Sequence, residues 1–295
     1  MLRIIASLLL LLGSGVAINA IASDSGSQQE RQCIEAFDKG QYKLAAPTCE
    51  TAANSGNPEA QYRLAKAYLF GLFGSKDIDK AVSFALSCRE TNPGPCLNVA
   101  GLAQGQKAIP ERFKSFPSWI DSDLREGILK QVDMELLTES NKNLLAAANH
   151  GSVKAMHNIG NRYARGIGFA PDLEKALEWG QKASSAGFLP GNTMQAVAIV
   201  LHKKTELYPE LENLLLPAAA QLPEASGYLG DIYQSGFGVE ADLTKSYAWY
   251  TVAVVKGHEP SKQVLESLKP RLSLRQIEDG NTLAESYYKQ YANPN

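Results

Sequence analysis

The tract Tyr163-Ala-Arg-Gly-Ile-Gly-Phe-Ala-Pro-Asp-Leu-Glu-Lys-Ala176 returns seventy residues later as Tyr233-Gln-Ser-Gly-Phe-Gly-Val-Glu-Ala-Asp-Leu-Thr-Lys-Ser246. A third copy, Tyr68-Leu-Phe-Gly-Leu-Phe-Gly-Ser-Lys-Asp-Ile-Asp-Lys-Ala81, keeps the same offsets from Tyr to Gly, to Asp and to the small residue. Self-similarity at a fixed period marks an array in which each unit buries its apolar face only against its neighbours. Arrays of this kind serve as binding surfaces far more often than as enzymes.

Read backwards from the tyrosine, each copy starts on a small residue, with a second small residue five positions on. The complete sets are Ala60/Ala65/Tyr68, Ala155/Gly160/Tyr163 and Ala225/Gly230/Tyr233. Two further units, Cys96/Gly101/Gln104 and Gly191/Ala196/Ile199, keep the small positions and lose the tyrosine. The starting residues stand 36, 59, 36 and 34 apart, a regular period with one insertion. Small residues let two helices approach closely, while large apolar ones fill the space between layers. The glycines after the tyrosine, Gly166 and Gly168 or Gly236 and Gly238, are suited to a turn with positive φ. Asp172 and Asp242 then stand where an N-cap belongs. The helices that follow are amphipathic, with Leu173, Ala176, Leu177 and Ala183 in one and Leu243, Tyr247 and Ala248 in the other. Gly56, Gly151 and Gly187 supply the usual left-handed stop.

The pattern Ala-x4-Gly-x2-Tyr-x2-Gly-x-Gly-x3-Asp-x2-Lys-Ala, with its Ala-Ala-x2-Gly-x3-Ala junction, resembles the Sel-like repeat (SLR) family. These are long-loop relatives of tetratricopeptide repeats. The resemblance covers roughly residues 30–262, with good copies at 60–95, 155–190 and 225–260. It implies an all-α fold, a right-handed α-solenoid of about six antiparallel helix pairs with a C-terminal capping helix. The unit from Gly191 departs from the pattern, carrying His202-Lys-Lys-Thr where the glycines stand. The unit from Cys96 departs through an insertion over about residues 105–138. The first unit, around Gly40-Gln-Tyr42, has a short loop and looks like an ordinary tetratricopeptide repeat. Residues 263–295 read as capping helices, with Tyr287, Tyr288 and Tyr291 packing on the last layer.

Residues 1–22 carry Arg3, five consecutive leucines and Ala20-Ile-Ala22 before Ser23. That order is expected of a secretory signal peptide cleaved near Ala22. The alternative is an uncleaved anchor, which Gly13, Gly15 and Asn19 weaken. Residues 23–29 read as a flexible lead-in. The chain is therefore expected in the periplasm or secreted. With 29 basic and 31 acidic residues it has a formal charge of −2, too little to argue for nucleic acid or a membrane surface. Four cysteines in an exported chain suggest two disulfides. Cys33 and Cys49 flank the Gly40-Gln41 turn almost symmetrically, so an antiparallel helix pair would bring them face to face. Cys88 closes one repeat and Cys96 opens the next. This Cys-x7-Cys spacing resembles the cysteine-rich branch of the family, where it ties consecutive repeats.

A search for chemistry finds little. His150, His157, His202 and His258 stand in different repeats without metal-ligand spacing, and surface or capping roles are expected of His150 and His258. There is no His-Glu-x-x-His, no Gly-x-Ser-x-Gly, and no phosphate-binding or dinucleotide-binding glycine loop. One Ser-x-x-Lys, Ser286 to Lys289, lacks its companion motifs and falls where both side chains would face solvent. No catalytic residue, cofactor or metal site is expected, and no enzyme activity.

The expected function is protein binding. By resemblance to tetratricopeptide repeats, the inner surface is formed by first-helix residues two, six, nine and ten past the starting small residue. This places Tyr62, Lys66, Phe70, Asn98, His157, Asn161, Arg165, Asp231 and Gln234 on a concave partner-binding surface, with Leu69, Ala164, Thr193 and Gly227 in equivalent positions. The insertion carries Phe113, Phe116 and Trp119, which either contact a partner or cover the edge of a neighbouring repeat. The reading is an adaptor or scaffold, a monomer binding another protein, with no nucleic acid and no small-molecule substrate. The alternative is an immunity protein or inhibitor that neutralises a periplasmic toxic effector, such as a type VI secretion phospholipase. A β-lactamase-like hydrolase is a third, weaker reading, since the motifs for it are missing.

Overall fold

The computed structural model describes residues 28–109 and 131–292. The expected signal peptide and the insertion residues Phe113, Phe116 and Trp119 lie outside the described residues. Among those described there is no β-strand, and the all-α expectation holds. The chain divides into two compact units between Ser152 and Val153. The first contains α1 (residues 28–38), α2 (Tyr42–Asn54), α3 (Pro58–Phe70), α4 (Ile78–Ser87), α5 (Pro93–Ala108) and α6 (Met134–Asn149). The second contains α7 (Val153–Arg165), α8 (Leu173–Ser185), α9 (Pro190–Leu201) and α10 (Leu211–Ala219). It continues with α11 (Pro223–Ser235), α12 (Leu243–Val255), α13 (Glu259–Leu268) and α14 (Leu274–Tyr287).

Within each unit the first helix of a repeat packs on its own second helix and on the first helix of the next. The contacts α3 with α4 and α5, and α7 with α8 and α9, show both kinds. In the three complete units the first helices, α3, α7 and α11, begin two residues before the small residue that opens the motif. In α3, α5, α9 and α11 a proline stands in the opening turn, where its missing N–H costs nothing. Four of the second helices, α4, α6, α8 and α12, begin on aspartate. Asp77, Asp133, Asp172 and Asp242 accept from the N–H of Lys80, Leu136, Lys175 and Lys245, each cap contributing about 1 kcal/mol. Gly56, Gly151 and Gly187 end helices with φ of 88°, 82° and 80°, and Gly257 does the same at 90°.

In the first unit Leu64, Ala65, Ala67 and Leu69 of α3 meet Ala81 and Ala85 of α4 and Val99, Ala100 and Ala103 of α5. Both expected cysteine pairs form, Cys33 with Cys49 at a Cα separation of 4.7 Å and Cys88 with Cys96 at 6.0 Å. Each closed loop contributes roughly 2.5–3 kcal/mol in the chain-entropy account. In the second unit Leu211, Leu215, Leu229, Ile232, Trp249 and Val252 form the core. Trp249 stacks on Tyr287 at 4.5 Å and meets Tyr291 at 5.9 Å, with Tyr288 packed on the same cluster. The C-terminal tyrosines thus cover the last layer as expected. The small-residue positions are needed for close approach. A Cβ at Gly101 would come within 2.7 Å of Leu144, and one at Gly230 within 2.8 Å of the Tyr250 ring.

Candidate functional site: the outward faces of the first helices

The recurring Tyr, Asp and Lys meet in one clamp. Tyr68, Tyr163 and Tyr233 lie near the ends of α3, α7 and α11, with 9%, 9% and 7% exposed. The N–H groups of Asp77, Asp172 and Asp242 donate to their carbonyls at 3.1, 2.9 and 2.9 Å. Three residues on, Lys80, Lys175 and Lys245 lay their ammonium groups over the tyrosine rings at 4.9, 5.2 and 5.1 Å. Such a contact contributes about 0.5–1 kcal/mol at an exposed site. The sequence showed that the lysine recurs but not what it does. Tyr68 Oη also donates to Glu50 at 2.9 Å, and Tyr233 Oη to Glu212, both acids of the preceding second helix. Burial first, then the Glu50 hydrogen bond, pushes the Tyr68 phenol up to about 12. The clamp fixes the C-terminal turn of each first helix and so aims the side chains on its outer side.

Those side chains follow the expected stripe only in part. The sixth and tenth positions past the small residue are open: Phe70 is 51% exposed, Arg165 and Asp231 are exposed, and Lys66 and Asn161 are half-buried. Tyr62, His157 and Gln234 are half-buried as well. Asn98 is a correction, because it is buried at 7% exposure. Its helix α5 packs closely on α6, which buries Ser140, Asn141 and Asn143 beside it. Gln104, standing where the tyrosine is lost, accepts there from Asn143 Nδ2 at 2.7 Å. Leu69, Ala164, Thr193 and Gly227 are also buried. The second position turns partly toward the neighbouring helix, and the ninth partly toward the core.

In the first unit Arg63 sits between Asp38 at 2.6 Å and Glu59 at 3.1 Å, with its guanidinium 5.3 Å above the Phe37 ring. Lys66 stands 6.0 Å over the same ring. Burial raises the pKa of the Tyr62 phenol, and the negative charge of Glu59 adds to this.

In the second unit Arg165 Nε donates to Asn161 Oδ1 at 3.0 Å. Asp231 accepts from Tyr250 Oη at 2.6 Å, and Gln234 Oε1 lies 3.2 Å from the same hydroxyl. Asp231 is open on its outer side, yet the protein beneath it strips water from the carboxylate and raises its pKa. The Tyr250 hydrogen bond and the nearby His258 pull the other way. Tyr228, half-buried on the same helix, is raised by burial and lowered by Arg165. His157 meets Phe188 edge-on at 5.8 Å. Its pKa is lowered by burial, against smaller opposing effects of Asn158 and Glu224. Arg162, buried on α7, has its guanidinium lowered to about 10 by desolvation.

The remaining candidates have structural settings. His150 stands at the C-cap of α6. His258 stands at the N-cap of α13, its Nδ1 2.7 Å from Ser261 Oγ. His202 Nε2 is 3.0 Å from the Ala164 carbonyl oxygen. Ser286 and Lys289 are exposed. Among the described residues no three His, Cys, Asp or Glu side chains are grouped to hold a metal ion. No helix there is long and apolar enough to cross a membrane.

Comparison with known proteins matches the Sel1 repeat to residues 58–86, 153–188 and 223–258. These are the three units in which the motif is complete. A Sel1 repeat protein from Oxalobacter formigenes superposes with a TM-score of 0.62 at 20% identity, covering 90% of this chain and 99% of that one. Two others superpose with TM-scores below 0.5. One is c5321, described as a protective antigen present in uropathogenic Escherichia coli strains displaying an SLR fold, at 0.46 and 18% identity over 91% of this chain and 60% of its own. The other is a putative sel1 repeat protein from Klebsiella pneumoniae subsp. pneumoniae, at 0.43 and 16% identity over 75% of this chain and 97% of its own. No curated protein matches the sequence. The chain carries three Sel1 repeats, and its described residues form an all-helical structure with the fold of the Oxalobacter formigenes Sel1 repeat protein.

Proposed function

We propose that this chain is an exported adaptor or scaffold that binds another protein through the outward faces of its first helices. The Sel1 repeat is a protein-interaction scaffold fold, and the finer reading rests on how those faces are furnished. Phe70, Arg165 and Asp231 are exposed, and the last two are oriented by the neutral groups Asn161 and Tyr250. Side chains held in place before binding lose little freedom on contact, which favours a recognition role. Export is supported by the character of residues 1–22 and by two cysteine pairs at bonding distance.

Site-specific photocrosslinking in the producing cell tests the surface. A photoreactive residue at position 70, 165 or 231 is expected to yield one defined protein adduct, and one at position 178 or 286 none. Adducts only at position 178 or 286 overturn the assignment. An intact mass that includes residues 1–22 overturns export with cleavage near Ala22.

A further inference from the structure

The charges of the second unit fall into two classes. On second helices and turns they pair with a neighbour one turn away: Lys175 with Asp172 at 3.2 Å, Lys182 with Glu178 at 2.6 Å and Lys269 with Glu266 at 2.8 Å. Three charges on α7 and α11 do not. Among the described residues Arg165 of α7 and Glu224 and Asp231 of α11 make no ion pair. Arg165 is held instead by Asn161, and Asp231 by Tyr250. Both anchors are uncharged; His258 acts on Asp231 and Glu224 acts on Lys256, but neither contact is an ion pair.

The placement of these charges is ordered. His157, Asn161 and Arg165 recur every four residues along α7, and Glu224, Tyr228 and Asp231 stand at i, i+4 and i+7 along α11. The two stripes lie within electrostatic reach of each other, since Glu224 acts on His157 and Arg165 acts on Tyr228. Between them in the repeat order, α9 packs on α7, shares a core with α11 through Ala196 and Ile199 against Leu229 and Ile232, and contributes the half-buried, uncharged Val197 and Leu201. One edge of this face is therefore cationic, the other acidic, and the middle apolar.

We infer that this face binds a peptide segment of a partner protein that carries a carboxylate toward α7 and a basic side chain toward α11, with uncharged residues between. The inference rests on the protein-binding reading above and narrows it to a partner chemistry. Covering an oriented charge without supplying its counter-charge is strongly unfavourable. A uniformly basic segment would meet Arg165, and a uniformly acidic one, or a nucleic acid, would meet Glu224 and Asp231. A segment of mixed sign in the matching order satisfies both edges.

The test uses the full mature chain and a phage-displayed library of random dodecapeptides. Selected peptides are expected to carry an acidic and a basic residue in one fixed order, separated by uncharged residues. Arg165→Glu or Asp231→Lys should weaken them at least tenfold with an unchanged melting temperature. Asp231→Asn, which keeps an acceptor for Tyr250, should also weaken them. A peptide with its acid and base exchanged should prefer the Arg165→Glu/Asp231→Lys double variant over the wild type. Selected peptides without paired charges, or with affinity unmoved by all three single variants, overturn the inference. No enrichment overturns it as well, and the photocrosslinking experiment then decides separately whether the protein-binding reading stands. Peptides displaced only by Tyr62→Ala or Phe70→Ala uphold that reading while sinking the charge-ordered face.

Discussion

Two glycines of one loop separate backbone strain from steric exclusion. Gly236 and Gly238 both have positive φ, 71° and 77°, so alanine at either costs about 1–2 kcal/mol in conformation. Reduced freedom of the unfolded chain returns about 0.4–1 kcal/mol of that. A Cβ at Gly236 meets nothing nearer than Ala241 Cβ at 3.4 Å, an ordinary contact. A Cβ at Gly238 would lie 2.7 Å from Pro209 N and nearer still to the Tyr208 carbonyl. Those atoms are backbone of the 3-10 turn Thr205–Glu210, and no rotamer change can clear them. Displacing packed atoms adds about 1–3 kcal/mol. Gly236→Ala should therefore lose about 0.5–1 kcal/mol and Gly238→Ala about 2–4 kcal/mol, the latter a large part of the roughly 5–15 kcal/mol that stabilises a typical domain. Urea unfolding of the oxidised protein, followed by far-ultraviolet circular dichroism, measures both. Equal losses, within about 0.5 kcal/mol, would refute the steric part of the reasoning.

Lys203 is the one non-glycine with positive φ among the described residues, at 51°, so Lys203→Gly should raise stability by about 0.5–1 kcal/mol in the same assay. Tyr233→Phe removes a hydrogen bond to Glu212 and should cost about 1 kcal/mol; Tyr163→Phe, with no such bond described, should cost less. Burial lowers the folded pKa of His157 below its unfolded value, so its contribution is present above the unfolded pKa and is lost as pH falls below about 6.5. His157→Gln should flatten the urea midpoint between pH 7.5 and 5.5, and an unchanged slope would remove His157 as the cause. Mass mapping of non-reduced peptides should recover Cys33 linked to Cys49 and Cys88 linked to Cys96, and any crossed link refutes the pairing.

Features that depend on near neighbours in the chain were legible in the sequence. Asp172 and Asp242 cap, Gly151 and Gly187 stop helices, and Cys33 meets Cys49 because a short turn separates their helices. Features set by the register between helices were not. Tyr250 reaches Asp231 across 19 residues, and Glu212 reaches Tyr233 across 21, and neither spacing belongs to a helical or turn period. Asn98 looked like a surface residue by analogy with its neighbours, but the approach of α6 buries it. The lysine of the repeat was visible as a recurring letter, while its place over the tyrosine ring needed the loop geometry. The sixth and tenth positions point outward, whereas the second and ninth are partly absorbed by packing, and periodicity alone does not separate them.

The Tyr-Asp-Lys clamp has a consequence for engineering. Each long loop leaves a first helix at the tyrosine and returns to a backbone hydrogen bond on that same residue, with the lysine closing over the ring. The loop is thus tied at its base whatever its length, and lengthening a closed loop costs only about 0.6 kcal/mol per doubling. Ala170 and Pro171 are exposed just before the tied aspartate of one such loop, and Ser75 and Lys76 just before that of another. Foreign epitopes or short ligand peptides spliced in at these two places would be displayed from anchored stems, without asking the helices on either side to move.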